Sequence, residues 1–353
     1  MNYSDTLQRT WQENILFNAL IELTYRCNLN CFICYNDSAL KGAPLGTEQY
    51  FRFFDDLREL GTLNLTLSGG EPLAHPDFFT LGRKARDMGF LVRVKSNGHA
   101  LHGRLAQRLR DEVDPFMVEV SLHGATAAVH DRQTRVPGSF VKLIANFRGM
   151  REAGMRMKLN CPLTVWNEHE IDGMYAIADD FGVQFQIDPQ ITRRDDGDLA
   201  PLDVSPSREG IARHYEVQRR RIAALVKSQG SRTAEAAPAE AEAKPASTLP
   251  EKHCGAGSST IIVDPYGNVY PCVQWRRKIG NLHEESIRAM WHQSTELAEV
   301  RRISSDVKQM VDAQGTQGFS FCPGTAEQET GRATNIYPVA RVLLDMRRKI
   351  PLN

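Results

Sequence analysis

Three cysteines lie within eight residues of one another, at positions 27, 31 and 34, in the spacing Cys-x3-Cys-x2-Cys. They directly follow a short apolar run, residues 19–24, of the kind that forms a β-strand. The loop at the C-terminal end of such a strand is where α/β folds bind ligands. Three thiolates on one loop can bind three irons of a [4Fe–4S] cluster and leave the fourth iron open to a ligand. A zinc site, which usually takes four protein ligands, or three unrelated thiols are the alternatives.

A second group of polar residues follows the next predicted strands. Residues 68–72 read Ser-Gly-Gly-Glu-Pro and end the strand predicted at 63–68. Gly69 and Gly70 would let the backbone approach a ligand closely, and the carboxylate of Glu71 could meet an ammonium group. Further polar side chains end the third and fourth predicted strands: Ser96, Asn97 and Ser121. For these three residues, ordinary turn chemistry at a strand end is the alternative.

The elements that must position these residues alternate along the chain. Six short apolar runs, bounded by Gly, Asn, Asp or Pro, predict strands at 19–24, 63–68, 90–96, 116–121, 157–165 and 183–188. Between them, apolar residues at helical spacing predict helices near 47–60, 77–88, 101–112, 140–153 and 168–181. This order is typical of β-α units whose parallel sheet is buried on both faces. Because six units are fewer than a closed barrel needs, we expect a partial (β/α)6 barrel, with a doubly wound sheet as the alternative.

The pattern changes after residue 200. Residues 207–229 predict one charged helix, and residues 231–250 are rich in Ala, Pro and Glu. Such a segment buries too little apolar surface to offset its ordering entropy, so we interpret it as a flexible linker. After it, residues 260–263 and 269–272 flank the turn sequence Asp-Pro-Tyr-Gly-Asn and predict a β-hairpin. Two further helices are expected, near 286–302 and 338–348.

Composition limits the class of protein. The chain has 353 residues, with 43 basic and 43 acidic side chains and a formal net charge of zero. This balance argues against a nucleic-acid-binding protein and against a polybasic membrane-surface protein. No run approaches the roughly 18 consecutive apolar residues of a membrane span, and the N-terminus lacks the order of a secretion signal. With seven cysteines, an odd number, and no export signal, we expect a cytoplasmic protein whose thiols bind metal or do chemistry.

The cysteine spacing, followed one β-α unit later by Gly-Gly-Glu, resembles the radical S-adenosylmethionine (radical SAM) superfamily. The resemblance implies a SAM-binding [4Fe–4S] cluster on Cys27, Cys31 and Cys34, with residues 69–71 near the amino group of SAM. In such enzymes one electron from the cluster cleaves SAM to methionine and a 5′-deoxyadenosyl radical, which abstracts hydrogen from a substrate. Ile33 departs from the family pattern, which usually has an aromatic residue before the third cysteine.

The same resemblance implies further contacts with SAM. Its methionine or ribose part would face the strand-end residues Ser96, Asn97 and Ser121. The stretch that begins His130-Asp131 resembles the family segment that supplies an arginine to the SAM carboxylate, and either Arg132 or Arg135 could be that residue. A surface ion pair is the alternative for this stretch.

Three more cysteines lie in the last hundred residues, at positions 254, 272 and 322. The predicted hairpin would bring Cys254 and Cys272 together, as a shared cluster needs. The pattern resembles the start of a SPASM or shorter twitch domain, which carries auxiliary iron–sulfur clusters. Because three cysteines are fewer than the full SPASM pattern, the resemblance implies at most one auxiliary cluster, with His253 or a substrate atom as a fourth ligand. Buried structural cysteines are the alternative.

The seventh cysteine, Cys161, lies inside the fifth predicted strand. Free cysteine is among the most buried residue types, so a packing role is the default interpretation. A side chain that pointed into the barrel could instead donate hydrogen to a substrate radical, as an epimerase would need.

Together these features predict an α/β protein: a partial (β/α)6 barrel with a smaller C-terminal α+β domain similar to twitch or SPASM domains. The predicted parts are an N-terminal extension (1–17), a radical SAM core (18–195), a helix with the linker (196–252) and an auxiliary-cluster domain (253–353). The resemblance implies an enzyme that cross-links, epimerises or oxidises a peptide or protein and takes electrons from a donor such as flavodoxin or ferredoxin. A small-molecule substrate, as in a sugar dehydrogenase or cofactor biosynthesis, is the main alternative. A non-enzymatic iron–sulfur or zinc sensor is the other, and Gly-Gly-Glu argues against it, because a sensor has no need of an amino-acid pocket.

Overall fold

A computed structural model describes residues 3–37, 39–230, 250–315 and 320–349. Their strands are Asn18–Glu22 (β1), Asn64–Ser68 (β2), Leu91–Ser96 (β3), Met117–Ser121 (β4), Met157–Pro162 (β5), Gln184–Asp188 (β6), Thr260–Val263 (β7), Asn268–Tyr270 (β8) and Gly280–Asn281 (β9). Within the described residues they form one sheet in the order β6-β5-β4-β3-β2-β1-β7-β8-β9. Strands β1 to β7 pair in parallel, whereas β8 and β9 are antiparallel to their neighbours.

The helices of the described residues alternate with the first six strands and then follow the hairpin. Their bounds are Tyr3–Glu13 (α1), Thr47–Glu59 (α2), Phe78–Asp87 (α3), Gly103–Arg108 (α4), Ala127–Thr134 (α5), Ser139–Glu152 (α6), Ile171–Phe181 (α7), Arg208–Gly230 (α8), Ile287–Gln293 (α9), Thr295–Asp312 (α10), Pro323–Thr330 (α11) and Pro338–Lys349 (α12). A short π-helical segment, Leu109–Val113, continues α4.

The expected partial barrel is confirmed. Strands β1 to β6 stand in sequence order, without the reversal of order that defines a doubly wound sheet, and the sheet does not close among the described residues. All six predicted barrel strands are present, because each is an apolar run bounded by turn-forming residues.

The two faces of the sheet differ, which corrects the expectation of apolar burial on both. On β3, Val92 and Val94 are fully buried against the helix layer, whereas Arg93 and Lys95 alternate with them and face the concave side. Side chains of successive strand residues point to opposite faces, so this alternation extends along each strand. The helices therefore pack against an apolar convex face, and the concave face presents polar groups.

Several helices differ from the expectations. Helices α1, α5 and α11 were not predicted, and the helix expected near 286–302 is two helices, α9 and α10. The break lies at Ser294, whose side chain accepts a hydrogen bond from the Leu297 N–H and so begins α10 as an N-cap. Helix α8 matches the helix predicted at 207–229. Residues 231–249 of the predicted linker lie outside the described residues.

The C-terminal hairpin extends the barrel sheet. Strand β7 pairs with β1 from Asn18 opposite Thr260 to Ile21 opposite Val263. At the predicted turn, the carboxylate of Asp264 accepts hydrogen bonds from the backbone N–H groups of Tyr266 and Asn268. The domain boundary at residue 253 stays a prediction. Among the described residues, no helix is long and apolar enough to cross a membrane.

Candidate functional site

The cysteine loop leaves the end of β1 and is fastened to α5. The backbone N–H of Asn30 donates to the Thr134 carbonyl at 3.2 Å, and that of Phe32 donates to the Gln133 carbonyl at 2.9 Å. On its other side, the Arg194 guanidinium donates to the Phe32 carbonyl at 3.0 Å. The last turn of α5 and the segment after β6 therefore fix the conformation of the loop.

The three thiols of this loop lie within electrostatic reach of one another. Burial, together with the charges of Cys34 and Cys27, raises the pKa of the Cys31 thiol to about 12. Cys27 is exposed, and its Sγ accepts hydrogen bonds from the Leu29 N–H (3.4 Å) and the Asn97 side-chain amide (3.6 Å). Thiols with such N–H donors fit the ligand role in an iron–sulfur cluster.

A single-ion site is not formed at this loop. In the part of the chain that the structure describes, no group of three or more His, Cys, Asp or Glu side chains is arranged to hold one metal ion. A four-iron cluster binds each thiolate to a different iron, so its ligands need not converge on one point. The spacing of Cys27, Cys31 and Cys34 on a half-buried loop is therefore compatible with a cluster.

The Gly-Gly-Glu element packs against the chain that enters the cysteine loop. The Gly70 N–H donates to the Thr24 carbonyl at 2.6 Å, and the Glu71 N–H donates to the Arg26 carbonyl at 2.8 Å. A Cβ atom on Gly70 would lie 2.5 Å from the Arg26 carbonyl oxygen, and one on Gly69 would overlap the Thr24 carbonyl oxygen. The two glycines thus permit residues 69–71 to pack closely against the backbone of residues 24–26, in addition to any contact with a ligand.

Glu71 is buried and connects this element to the C-terminal end of β3, which in turn contacts the cysteine loop. Its carboxylate accepts hydrogen bonds from the Ser96 hydroxyl (2.9 Å) and the Asn97 N–H (2.9 Å). The Asn97 side chain in turn donates to the Asn28 side-chain oxygen at 2.7 Å. Burial raises the pKa of Glu71 to about 7, although these hydrogen bonds oppose the shift. The structure therefore brings Glu71, Ser96 and Asn97 together beside Cys27.

The His130-Asp131 stretch has a structural role in part. The Asp131 carboxylate accepts hydrogen bonds from the N–H groups of Gly138 (2.6 Å) and Phe140 (2.8 Å), and so caps α6. The Arg135 guanidinium lies 4.7 Å from the ring centre of Phe32, a residue of the cysteine loop between Cys31 and Cys34. Arg132 instead stacks on Trp166 at 4.1 Å. Of the two arginines, Arg135 is the one in contact with the cysteine loop.

The concave face of the barrel encloses a cavity of about 670 Å³ beneath the loop. Ile33 and Tyr35 of the cysteine-loop segment contribute to its wall, and so does Ser121 at the end of β4. The other polar lining residues on barrel strands include Asn18, Asn64, Thr66, Arg93, Lys95, Glu119, Lys158, Asn160, Gln186 and Asp188. Polar side chains therefore line much of the cavity, together with apolar residues such as Ile33, Ile191 and Val273.

Charges within the cavity are partly neutralised. Glu119 pairs with Arg93 at 3.2 Å and with Lys158 at 3.3 Å. Burial alone would raise the pKa of Glu119, but the charges of Lys95 and Lys158 lower it below its ordinary value. Lys95 lies on the same wall, and its charge acts on both Glu119 and Asp188.

Cys161 is one of the residues that line this cavity, but its thiol is turned toward α7. Its Sγ lies 3.6 Å from the Met174 sulfur on α7 and accepts a hydrogen bond from the Asn167 side chain at 3.3 Å. Burial raises the pKa of this thiol well above its ordinary value. Residues 158, 160 and 162 line the cavity on the opposite face of β5, so this orientation favours the packing role over the hydrogen-donor role.

A buried ion network beside the cysteine loop was not foreseen. Arg276, which follows the hairpin, donates to the Glu22 carboxylate at 2.8 Å and pairs with Asp195 at 3.0 Å. Glu22 is fully buried at the end of β1, and the Tyr25 and Tyr35 hydroxyls donate to it at 3.1 and 3.2 Å. Because Glu22, Asp195 and Arg276 lie far apart in the sequence, no local spacing pattern predicts this network.

The three C-terminal cysteines form a second group. Burial raises the pKa of each thiol. The charge of a second cysteine raises each pKa as well: Cys322 acts on Cys254, Cys254 acts on Cys272, and Cys272 acts on Cys322. The Nε2 of the adjacent His253 donates to the Phe321 carbonyl at 2.8 Å, which leaves its Nδ1 as the nitrogen that could bind a metal, so the predicted ligand role of His253 stays a prediction. Among the side chains that contact this group are Gln274, whose Oε1 accepts a hydrogen bond from the Cys322 thiol at 3.1 Å, and Ser304, whose hydroxyl donates to the Cys254 carbonyl at 3.2 Å.

Comparison with known families matches both regions. Residues 21–177 match the radical SAM superfamily, and residues 254–314 match a domain described as an iron–sulfur cluster-binding domain, SPASM. The AdoMet-dependent heme synthase of Methanosarcina barkeri is 29% identical over 307 residues, covering 82% of this chain and 84% of that enzyme. The PqqA peptide cyclase of Ruegeria pomeroyi is 30% identical over 269 residues, covering 72% of this chain and 66% of that enzyme.

Solved structures share the fold. SuiB of Streptococcus suis, bound to the precursor peptide SuiA, superposes with a TM-score of 0.61 at 14% identity and covers 83% of this chain and 69% of SuiB. The first cysteine group lies within the radical SAM match, and Cys254 and Cys272 lie within the SPASM match. The chain therefore belongs to the radical SAM superfamily, as an enzyme with a C-terminal SPASM domain.

Proposed function

We propose that Cys27, Cys31 and Cys34 hold a [4Fe–4S] cluster with one iron open to SAM. When bound, such a cluster supplies the electron that cleaves SAM to methionine and a 5′-deoxyadenosyl radical, which abstracts hydrogen from a substrate. The shared loop, the mutual electrostatic influence of the thiols and the N–H donors at Cys27 support this assignment. A flavodoxin or ferredoxin is the proposed electron donor.

The surrounding residues have distinct proposed tasks toward SAM. Residues 69–71 follow the end of β2, where the SAM amino group would bind, and Asn97 orients the Cys27 side of the site. Ser121 lies on the cavity wall, where the methionine or ribose part would pass. Arg135 is the arginine we assign to the SAM carboxylate, because it stacks on the cysteine loop. We also propose one auxiliary cluster on Cys254, Cys272 and Cys322.

The proposed substrate is a peptide or protein, and a second cavity that adjoins the barrel cavity at the edge strand carries this proposal. A second cavity of about 520 Å³ lies beside β6 and shares Lys158 and Gln186 with the barrel cavity. Strand β6 ends the sheet within the described residues, so its outer backbone groups are free to pair with an extended chain. A peptide could thus lie along β6 and send one residue into the barrel. The PqqA peptide cyclase is named for a peptide substrate, and the structure of SuiB contains a bound precursor peptide.

A second candidate is a small molecule that carries carboxylates, as in cofactor biosynthesis. Three cations, Arg93, Lys95 and Lys158, lie on the cavity wall and could meet the carboxylates of such a molecule. The relative that matches over 84% of its length is a heme synthase. These two observations favour a cofactor precursor over a sugar.

One experiment tests the shared chemistry and then separates the substrates. The anaerobically reconstituted, dithionite-reduced protein is incubated with SAM, and 5′-deoxyadenosine is measured by liquid chromatography. We expect formation of 5′-deoxyadenosine, and its absence from iron-loaded protein would contradict the proposed function. The assay is repeated with a precursor peptide encoded beside the gene and with a porphyrin that carries free carboxylates. A peptide whose mass changes in step with 5′-deoxyadenosine supports the first substrate class, and conversion of the porphyrin alone supports the second.

A further inference from the structure

The two sides of the barrel cavity differ in charge. Strands β3 to β6 contribute the charged lining residues, which are Arg93, Lys95, Glu119, Lys158 and Asp188. Among the described lining residues, those whose side chains come from β7, β1 and β2 are uncharged: Thr260, Asn18, Leu20, Asn64 and Thr66. A charged ligand group therefore has its partners on the first side, and the second side suits an uncharged group.

Polar residues of the uncharged side lie next to one another at the N-terminal ends of three neighbouring strands. Asn18 is in register with Asn64 on one side and with Thr260 on the other, and we call these three residues the neutral row. The next residues along β1 and β2, Ala19 and Leu65, are buried in the apolar core. Because successive side chains of a strand point to opposite faces, the side chains of the neutral row point into the barrel.

The side chains of the neutral row make no hydrogen bond with any residue that the structure describes, and the same is true of the Thr66 hydroxyl. Asn64 is nevertheless only 7% exposed. Buried polar side chains in folded proteins are as a rule hydrogen bonded, and an unsatisfied one costs free energy. A group of such side chains on one wall of a cavity therefore points to a ligand that supplies the missing partners.

The chemistry of the row selects the ligand group. A side-chain amide offers an N–H donor and a carbonyl acceptor in one plane, so Asn18 and Asn64 together match a second amide, which has the same two functions. A carboxylate has no donor for the two carbonyl oxygens, and an ammonium group has no acceptor for the N–H groups. An amide is thus the group that satisfies both asparagines.

We propose that the neutral row is a substrate subsite that binds an amide group of the peptide. The inference rests on the proposed peptide substrate and names the group that the peptide inserts. Asn18 lies four residues before Glu22, the last residue of β1, which is about 13 Å along the strand. The cysteine loop follows that far end. This distance exceeds the length of an amino-acid side chain, so a peptide that reacts near the loop and binds the row brings its main chain into the barrel.

The test follows the binding of a small amide to the full chain, reconstituted with iron and supplied with SAM. Asparagine is labelled with the nitrogen-15 isotope, and the side-chain amide signals of Asn18 and Asn64 are identified by their loss in Asn18→Leu and Asn64→Leu. The probes are N-acetylglycinamide, acetate and glycerol, which supply an amide, an anion and hydroxyl groups. Gln186→Leu is the control, because Gln186 lines the charged side of the cavity.

We expect N-acetylglycinamide to shift both signals until they saturate, and acetate and glycerol to leave them in place. Removing one asparagine should weaken binding at the other by about 2- to 10-fold, whereas Gln186→Leu should leave it unchanged. Signals that respond to no probe would overturn the inference, because the row would then bind water only. An equal response to acetate or glycerol would overturn it too, because the row would not select an amide.

Thermal unfolding separates a ligand subsite from a structural role. Because the side chains of Asn18 and Asn64 have no hydrogen bond to lose within the described residues, neither Leu variant should lower the midpoint of unfolding. Asn167→Leu is the matched control and should lower it, because the Asn167 amide donates to the His123 and Pro162 carbonyls at 3.1 Å. A lower midpoint in both Asn18→Leu and Asn64→Leu would overturn the inference. Amide binding by a protein that fails to cleave SAM would contradict the proposed function and support the subsite.

Discussion

Cys27, Cys31 and Cys34 come from one loop, whereas Cys254, Cys272 and Cys322 come from three segments: the approach to β7, the end of the hairpin and the N-cap of α11. The first group is partly exposed at the top of the barrel, and its loop is held by α5 and the Gly-Gly-Glu element. The second group is packed against the C-terminal apolar core and lies behind the cavity wall. A local loop suits a site that must admit SAM, and a site assembled from distant segments depends on the folding of the whole C-terminal region.

The largest expected effect separates the two groups by function. Replacing Cys27, Cys31 and Cys34 by Ala should lower 5′-deoxyadenosine formation at least 100-fold, because no cluster then binds SAM. Replacing Cys254, Cys272 and Cys322 by Ala should leave SAM cleavage without substrate within about 10-fold of the wild type and abolish substrate conversion. Both are measured by chromatography of 5′-deoxyadenosine under dithionite. Equal loss of SAM cleavage in the two variants would contradict this division.

The next prediction concerns the buried ion network that connects the barrel to the C-terminal region. Arg276, four residues after Cys272, pairs with Glu22 and Asp195, and its side chain is 12% exposed. Removing one partner of a buried ion pair leaves uncompensated charge, so Arg276→Gln should lower the free energy of unfolding by about 3–5 kcal/mol. The neighbouring Arg277 pairs with Glu296 at 2.9 Å, and both side chains are about one-third exposed or more. Arg277→Gln should therefore change the free energy by about 0–1 kcal/mol in the same denaturant titration. Similar losses in both variants would show that the buried network does not join the regions.

Much of this organisation could be predicted from the sequence. The barrel strands, the cysteine loop and residues 68–72 each leave a local signal of apolar runs, turns or spacing. Helix α5, which anchors the cysteine loop, left almost none, because its sequence Ala-Ala-Val-His-Asp-Arg-Gln-Thr has a single large apolar residue. Arg276 and Glu22 are 254 positions apart, so only the fold brings them together. The polar side chains of the concave face could be predicted in part from the sequence, because Arg93 and Lys95 alternate with the buried residues of β3.

A smaller effect tests how the first loop is held. Gly70→Ala would place a Cβ 2.5 Å from the Arg26 carbonyl oxygen, and such overpacking costs about 1–3 kcal/mol. We expect that loss of stability together with a lower iron content at the first site. Gly149→Ala on α6 is the matched control, because its Cβ would meet no atom within 4 Å and Ala favours the helix by about 0.5–1 kcal/mol. If Gly70→Ala kept full iron content and stability, the close backbone approach would not matter for the cysteine loop.

The smallest effect concerns the cysteine that belongs to neither group. Cys161 is 1% exposed and packs on Met174, so Cys161→Ala should remove a small buried volume and lower the free energy of unfolding by about 1 kcal/mol. Because the thiol points away from the cavity, the variant should keep its iron content, its SAM cleavage and its distribution of products. Product analysis in deuterated buffer is the decisive measurement, since a thiol that donated hydrogen would introduce deuterium in the wild type and not in the variant. Such a difference would reassign Cys161 from packing to chemistry, and its absence would leave the reaction to the two cysteine groups.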